Sequence, residues 1–190
     1  MHRPVLSHAS VPLVTDVEVI DEAGRTKRIY IPGERPLTIY VNNQELVTLM
    51  TLGGEPEALV LGWLRNQRLI NSLNDVLSVQ VDWDVEAAAV TAQPDVLTAW
   101  NKAQKQRIVT TGCGQGTMFG DVMSDIETIQ LNPHARLSQD VLVEAVGSIR
   151  THPSIYKQAG SVHGCGLFRG TELLMFVEDV GRHNAVDAIA

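Results

Sequence analysis

Cysteine is scarce in this chain, with only Cys113 and Cys165 among 190 residues. Two thiols cannot build the disulfide framework of a small secreted domain, and reduced thiols are the usual state in a cytosolic protein. We also expect no secretory signal, because residues 1–4 are not followed by an apolar segment. We therefore expect a cytoplasmic protein whose cysteines serve chemistry or packing rather than cross-linking.

An excess of basic charge and long apolar runs are also lacking. The 22 acidic residues outnumber the 15 Lys and Arg residues, and the formal net charge is −7. Such a balance excludes non-specific binding to the phosphate backbone of nucleic acids, although it leaves room for a local basic pocket. No apolar run approaches the ~18 residues that a membrane span needs. What the chain does have is 44% hydrophobic residues, enough for the core of one domain or two small lobes.

The apolar pattern predicts an α/β protein. Alternating or continuous apolar residues predict strands, at residues 17–20, 28–31, 37–41, 77–83, 85–90, 107–110, 161–168 and 172–177. Helical spacing and capping signals predict helices, at residues 56–68, 94–104 and 138–150, around residue 156, and from residue 181 onward. We divide the chain into a β-rich N-terminal region with one helix, residues 1–92, and an α/β core, residues 93–190.

A glycine-rich loop surrounds the first cysteine. Cys113 lies between Gly112 and Gly114, and Gly116 follows two residues later. Such a backbone is free to take positive φ and to let a second group approach the thiol closely. A thiolate placed there can attack a sulfur atom, hold it as a persulfide and pass it on. The alternative is a small buried hydrophobic residue beside an ordinary turn, and the residues alone leave both interpretations open.

A second cluster of polar side chains occupies residues 178–187, directly after an apolar strand. Arg182 can bind a phosphate or carboxylate through two hydrogen bonds, and His183 can transfer protons near neutral pH. The alternative is a capped helix start held by salt bridges. A zinc site built from Cys113, His163, Cys165 and His183 is less favoured, because the short, regular pairing of zinc ligands is missing; we expect no metal.

The run Gly181–Asp187, preceded by Glu178-Asp179-Val180, resembles the signature of the FdhD/NarQ family, the formate dehydrogenase accessory sulfurtransferases. Residues 161–168 are similar to the strand that precedes this signature in the family, and Gly112-Cys113-Gly114 resembles its cysteine loop. The resemblance implies a cytidine deaminase-like mixed sheet flanked by helices, without the catalytic zinc. It also implies that the family's chain continues beyond the helix that begins here, so we expect this chain to be truncated at the C-terminus.

The resemblance further implies a chemistry. Cys113 would accept persulfide sulfur from a cysteine desulfurase and deliver it to bis-molybdopterin guanine dinucleotide, the molybdenum cofactor of formate dehydrogenase. The glycines Gly112, Gly114 and Gly116 would support the loop. The residues assigned to cofactor binding are His163, Arg182, His183 and Asn184, with a purely structural role kept open for the last three.

Two alternatives stay open beside the sulfurtransferase. Many family members have Cys-Gly-x-Cys in the loop, whereas this chain has Gly116 at the fourth position and Cys165 as its only other thiol. The first alternative is therefore a non-catalytic chaperone that holds the cofactor or formate dehydrogenase. The second is a zinc-dependent deaminase-like hydrolase. A homodimer is compatible with the resemblance.

Overall fold

The computed structural model describes residues 3–97 and 129–190. The strands are β1 (Val5–Leu6), β2 (Val14–Ile20), β3 (Thr26–Pro32), β4 (Arg35–Val41), β5 (Gln44–Thr51), β6 (Val76–Asp82), β7 (Ala87–Ala92), β8 (His163–Arg169) and β9 (Glu172–Asp179). The helices are α1 (Pro56–Asn66), α2 (Gln139–Thr151), α3 (Ile155–Ala159) and α4 (Arg182–Asp187), with a 3₁₀ turn at Leu73–Asp75 and a helical turn at residues 94–97. The predicted mixed α/β architecture is confirmed, while the likeness to cytidine deaminases stays a prediction.

A five-stranded mixed sheet forms the first half of the fold. Its spatial order is β1-β6-β7-β4-β5, with β1 parallel to β6 and β4 parallel to β7. Asn42 and Asn43 join β4 to β5 and both take positive φ, which suits a tight hairpin turn. The strand β5 was not predicted, because a register shift leaves Leu46 as an extra residue opposite β4 and breaks the apolar alternation.

The core lies between this sheet and α1. The helix begins with Pro56 and buries Leu59, Val60, Trp63 and Leu64 against the inner face of the sheet. Each of these side chains is at most 2% exposed, in keeping with the helical spacing predicted from the sequence. The sheet contributes a row of fully buried aliphatic side chains, among them Leu37, Ile39, Val41, Val76 and Val79.

The C-terminal elements cover one end of this core. The antiparallel pair β8–β9 leads into α4, which packs against α1. A Cβ atom built on Gly62 of α1 would stand 1.7 Å from the carbonyl oxygen of Asp187 in α4. Glycine at position 62 is therefore required by the close approach of the two helices.

The helix α2 lies at the surface of the fold, and none of its residues is fully buried. Ser138 caps it as predicted, with its hydroxyl accepting a hydrogen bond from the Val141 amide. Its apolar face is covered only in part, since Leu142 is 49% and Val146 is 41% exposed. Ile149 reaches the β8–β9 pair near Gly166.

The strands β2 and β3 lie in the chain between β1 and β4 and form an antiparallel hairpin. Its turn is closed by the Asp21 carboxylate, which accepts hydrogen bonds from the amides of Ala23 and Arg25 at 2.9 Å each. Within residues 3–97 and 129–190, no helix combines the length and apolar character that crossing a bilayer requires.

Candidate functional site

A cleft of about 460 Å³ opens where the end of β5 runs beside the start of α4. Its lining includes Glu34, Thr48, Met50, His163, Arg182 and His183. Thr48 and Met50 point outward from β5, on the face opposite to the buried core. The floor of the cleft is therefore the outer face of an edge strand, and its wall is the C-terminal part of the chain.

The four residues assigned to cofactor binding from the sequence all line this cleft. His163 begins β8, and the antiparallel register places it opposite Asp179, three residues before Arg182. Arg182, His183 and Asn184 form the first turn of α4. Residues separated by almost twenty positions are thus brought together because β9 returns the chain to the end at which β8 began.

Three basic side chains line the wall of the cleft. His163, Arg182 and His183 are exposed there, with Glu34 as the acidic group among the lining residues. A guanidinium can hold a phosphate through two hydrogen bonds, and an imidazole donates to the same oxygens. A cleft with this lining suits an anionic ligand that also carries hydrogen-bond donors for the Glu34 carboxylate.

Asn184 plays a different part from its two neighbours. It is only 4% exposed, and its side-chain nitrogen donates to the Met50 carbonyl at 2.7 Å and to Asp179 Oδ1 at 2.9 Å. These bonds tie α4 to β5 and to the end of β9. The structural role that the sequence left open for this residue is the one its contacts support, while Arg182 and His183 remain exposed to the cleft.

The Asp179 carboxylate lies at the centre of this arrangement and is 5% exposed. Its Oδ2 atom accepts hydrogen bonds from the Thr51 hydroxyl at 2.5 Å and the Leu52 amide at 3.0 Å. Its Oδ1 atom accepts from the Gly181 amide and the Asn184 side chain, both at 2.9 Å. Two donors come from the end of β5 and two from the start of α4, so one carboxylate joins both edges of the cleft.

The preceding residue, Glu178, faces the other side of β9. Its carboxylate accepts hydrogen bonds from the Ile155 amide at 2.6 Å and the Tyr156 amide at 3.0 Å, the first two residues of α3. The amides at a helix start lack intrahelical partners, and an acidic group satisfies them. Both acids of the signature run therefore hold the fold around the cleft rather than lining it.

Cys165 does not line the cleft. It lies on β8 two residues after His163, so both side chains share one face of the strand. It is half-buried, and burial raises the pKa of its thiol. A raised pKa lowers the thiolate fraction at neutral pH and makes this thiol a poor nucleophile. Cys113 and its glycines Gly112, Gly114 and Gly116 lie outside the described residues.

The sequence missed Glu34, Thr48, Met50 and Thr51. Nothing in their local pattern marks them, because each reaches the site only through the pairing of β4 with β5 and the docking of α4. In the part of the chain that the structure describes, no group of three or more His, Cys, Asp or Glu side chains is arranged to hold a metal ion.

The chain is similar to a known family of proteins. The pattern of the FdhD/NarQ family matches residues 32–190. The sulfur carrier protein FdhD of Listeria monocytogenes is 31% identical over 173 residues, covering 88% of this chain and 66% of its own length. The protein of the same name from Sulfolobus acidocaldarius is 30% identical over 162 residues, covering 84% of this chain and 60% of its own length.

The fold has a solved counterpart. The crystal structure of a formate dehydrogenase accessory protein from Desulfotalea psychrophila superimposes with a TM-score of 0.64 at 23% identity, covering 94% of this chain and 66% of the other. At that identity the match shows a shared fold. The chain spans about two thirds of the length of the curated relatives that it matches, 66% for the Listeria monocytogenes protein.

Proposed function

Because the chain belongs to the FdhD/NarQ family, we propose that it is a sulfur carrier for the maturation of formate dehydrogenase. It accepts persulfide sulfur from a cysteine desulfurase on Cys113 and passes that sulfur to bis-molybdopterin guanine dinucleotide. Two names among the relatives support this proposal. The name sulfur carrier protein supports the sulfur-carrying role, and the name formate dehydrogenase accessory protein supports the link to formate dehydrogenase.

The observation that carries the proposal is the convergence of His163, Arg182 and His183 on one cleft. The dinucleotide cofactor contains pyrophosphate groups, and these three side chains offer the donors that phosphate oxygens accept. Its pterin and guanine rings carry N–H donors, which the Glu34 carboxylate can accept. The residues present therefore fit the pyrophosphate and ring groups of the cofactor, which in this reaction is the cargo that receives sulfur.

The first chemical step follows from thiol–disulfide exchange. The Cys113 thiolate attacks the outer sulfur of the donor's persulfide, a new S–S bond forms on Cys113, and the donor's S–S bond breaks. The donor cysteine leaves as a thiolate, and no net oxidation or reduction takes place. The cleft would hold the acceptor while the loop of Cys113 and its flanking glycines brings the outer sulfur to it.

Intact mass spectrometry tests the carrier step. The protein is incubated with a cysteine desulfurase and cysteine, beside the Cys113→Ala and Cys165→Ala variants. We expect a gain of one sulfur atom, ~32 Da, in the wild type and in Cys165→Ala and none in Cys113→Ala, because Cys113 is the proposed carrier and burial raises the pKa of the Cys165 thiol.

Absence of the sulfur in all three proteins, with the desulfurase shown to be active on another acceptor, would reject the carrier step. The chaperone interpretation would then replace it, since a chaperone can hold the cofactor in the cleft without moving sulfur. Restoration of formate dehydrogenase activity by Cys113→Ala would lead to the same conclusion.

A further inference from the structure

The first turn of α4 has no side-chain cap of its own. Gly181 is the residue before the helix, and it offers no oxygen to the free amides of the first turn. The turn is instead held from outside, by the Asp179 carboxylate on the Gly181 amide and on the Asn184 side chain. Arg182 and His183, which face the cleft, lie between these two anchored residues.

The other half of the same carboxylate is fixed to β5. The Thr51 hydroxyl and the Leu52 amide bind Oδ2, and Thr51 is only 1% exposed. The Thr51 oxygen also accepts a hydrogen bond from the Gly53 amide at 3.1 Å, which fixes the direction in which the hydroxyl donates. These hydrogen bonds thereby fix the position of the α4 turn relative to β5, the strand that forms the cleft floor.

Only a carboxylate meets the demands of this position. It presents two oxygens and four acceptor sites, and the four donors use all of them. An asparagine of the same size presents one oxygen and one NH₂ group. In either orientation its NH₂ faces a backbone amide, Leu52 on one side or Gly181 on the other, and that donor pair repels.

We infer that Asp179 is a positioning residue of the cleft: by bridging Thr51 and Leu52 to Gly181 and Asn184, it fixes Arg182 and His183 against the floor formed by β5. The inference rests on the proposed function, in which the cleft binds the anionic groups of the cofactor. It adds that ligand affinity depends on a buried residue that does not touch the ligand. If Asp179 were merely structural, replacing it would lower the stability of the protein and leave the ligand affinity of the folded protein unchanged.

The test compares variants that act on the bridge without entering the cleft. Asp179→Asn removes one pair of acceptor sites, and Thr51→Val removes the hydroxyl donor. Thr51→Ser restores that donor and serves as the conservative rescue. Asn42→Ala is the control for stability, because Asn42 binds the Ala92 backbone at 2.9 and 3.0 Å at the other end of β4 and β5.

Two quantities are measured well below the unfolding temperature of the least stable variant. The first is the dissociation constant of inorganic pyrophosphate, the linkage present in the dinucleotide cofactor, by calorimetry. The second is hydrogen exchange, measured by NMR, of the Gly181 backbone amide and the Asn184 side-chain amide, the two groups that donate to Asp179 Oδ1. We expect binding about tenfold weaker and faster exchange in Asp179→Asn and Thr51→Val, and wild-type values in Thr51→Ser and Asn42→Ala.

Each outcome decides. Unchanged affinity in Asp179→Asn, or equal weakening in Asn42→Ala, would overturn the positioning role while leaving the cleft as a binding site. If the wild type itself does not bind pyrophosphate, the proposed use of the cleft fails, and amide exchange alone decides on Asp179. Exchange that accelerates at Gly181 in Asp179→Asn but not in Asn42→Ala then supports positioning, and unchanged exchange rejects it.

Discussion

Glu178 and Asp179 are neighbours in sequence, and their carboxylates bind elements on opposite faces of β9. Successive side chains of a strand point to opposite faces, so Glu178 reaches the start of α3 while Asp179 reaches β5 and α4. A charged dipeptide at a strand end is often taken for a ligand-binding pair. Here both carboxylates are occupied by backbone and side-chain donors of the protein, and the groups left for a ligand are those of Arg182 and His183.

Cys165 gives a prediction at this scale. Burial raises the pKa of its thiol, so its thiolate fraction at pH 7 is smaller than that of a free cysteine. In the Cys113→Ala variant Cys165 is the only thiol left. We expect its alkylation by iodoacetamide to be slow at pH 7, with a midpoint of the pH–rate profile above that of a cysteine in an unfolded peptide. A midpoint below the peptide value would contradict this and make Cys165 a candidate carrier.

Asp187 gives a second prediction at the residue scale. Burial raises the pKa of its carboxyl group, and this outweighs the opposite effects of the Asn66 hydrogen bond and of His183. The folded protein thus binds this proton more tightly than the unfolded chain does. The stability contributed by the protonated form is fully present below the unfolded pKa and is lost as the pH rises through the raised, folded pKa.

Asp187→Asn should therefore stabilise the protein at pH 7. The amide keeps an oxygen for the Asn66 side chain, which donates at 2.6 Å, and removes the buried charge. We expect a gain below about 1 kcal/mol, because the Asn66 hydrogen bond and His183 already offset part of the effect of burial, and a smaller gain near pH 4. Urea unfolding at both pH values measures this, and a less stable variant at pH 7 would refute it.

At the scale of the elements, the contact between α1 and α4 determines where α4 lies. The two helices meet at Gly62, where a methyl group would overlap the Asp187 carbonyl oxygen. Moving α4 away from α1 also moves the turn that carries Arg182 and His183. The cleft thus depends on a helix contact on the far side of α4.

Two identical substitutions should have opposite effects at this scale. Gly62→Ala overpacks the contact, and we expect a loss of about 1–3 kcal/mol in the free energy of unfolding. Gly147→Ala in α2 meets nothing within 4 Å, and it should gain about 0.5–1 kcal/mol from helix propensity. Chemical denaturation of both variants measures the difference. Equal effects would show that the helices do not approach as closely as described.

At the scale of the whole molecule, the sequence predicted the features that depend on residues close together in the chain. The Pro56 start of α1 and the Ser138 cap of α2 each depend on residues within one helical turn, and the structure confirms both. The strand β5 was missed because its bulge at Leu46 disguises the alternation. The exposure of the α2 face depends on how wide a surface its neighbours offer, which no periodicity encodes.

The candidate site was predictable only in part. His163, Arg182 and His183 were named from a resemblance and from their chemistry, and the structure brings them to one cleft. Thr51 and Glu34 were not, because a threonine in a strand and a glutamate in a loop are ordinary residues locally. Their importance comes from partners more than one hundred residues away, such as Asp179 for Thr51.

The bridge between Thr51 and Asp179 also has a consequence for the timing of assembly. It closes a separation of 128 residues, so β5 leaves the ribosome long before its partner is synthesised. The entropy lost in closing so long a loop is recovered only when the contacts around α4 form together. A nascent chain can therefore fold much of its main sheet while the cleft does not yet exist. A ligand can bind in the cleft only after synthesis has passed Asn184, so shorter nascent chains cannot hold one there.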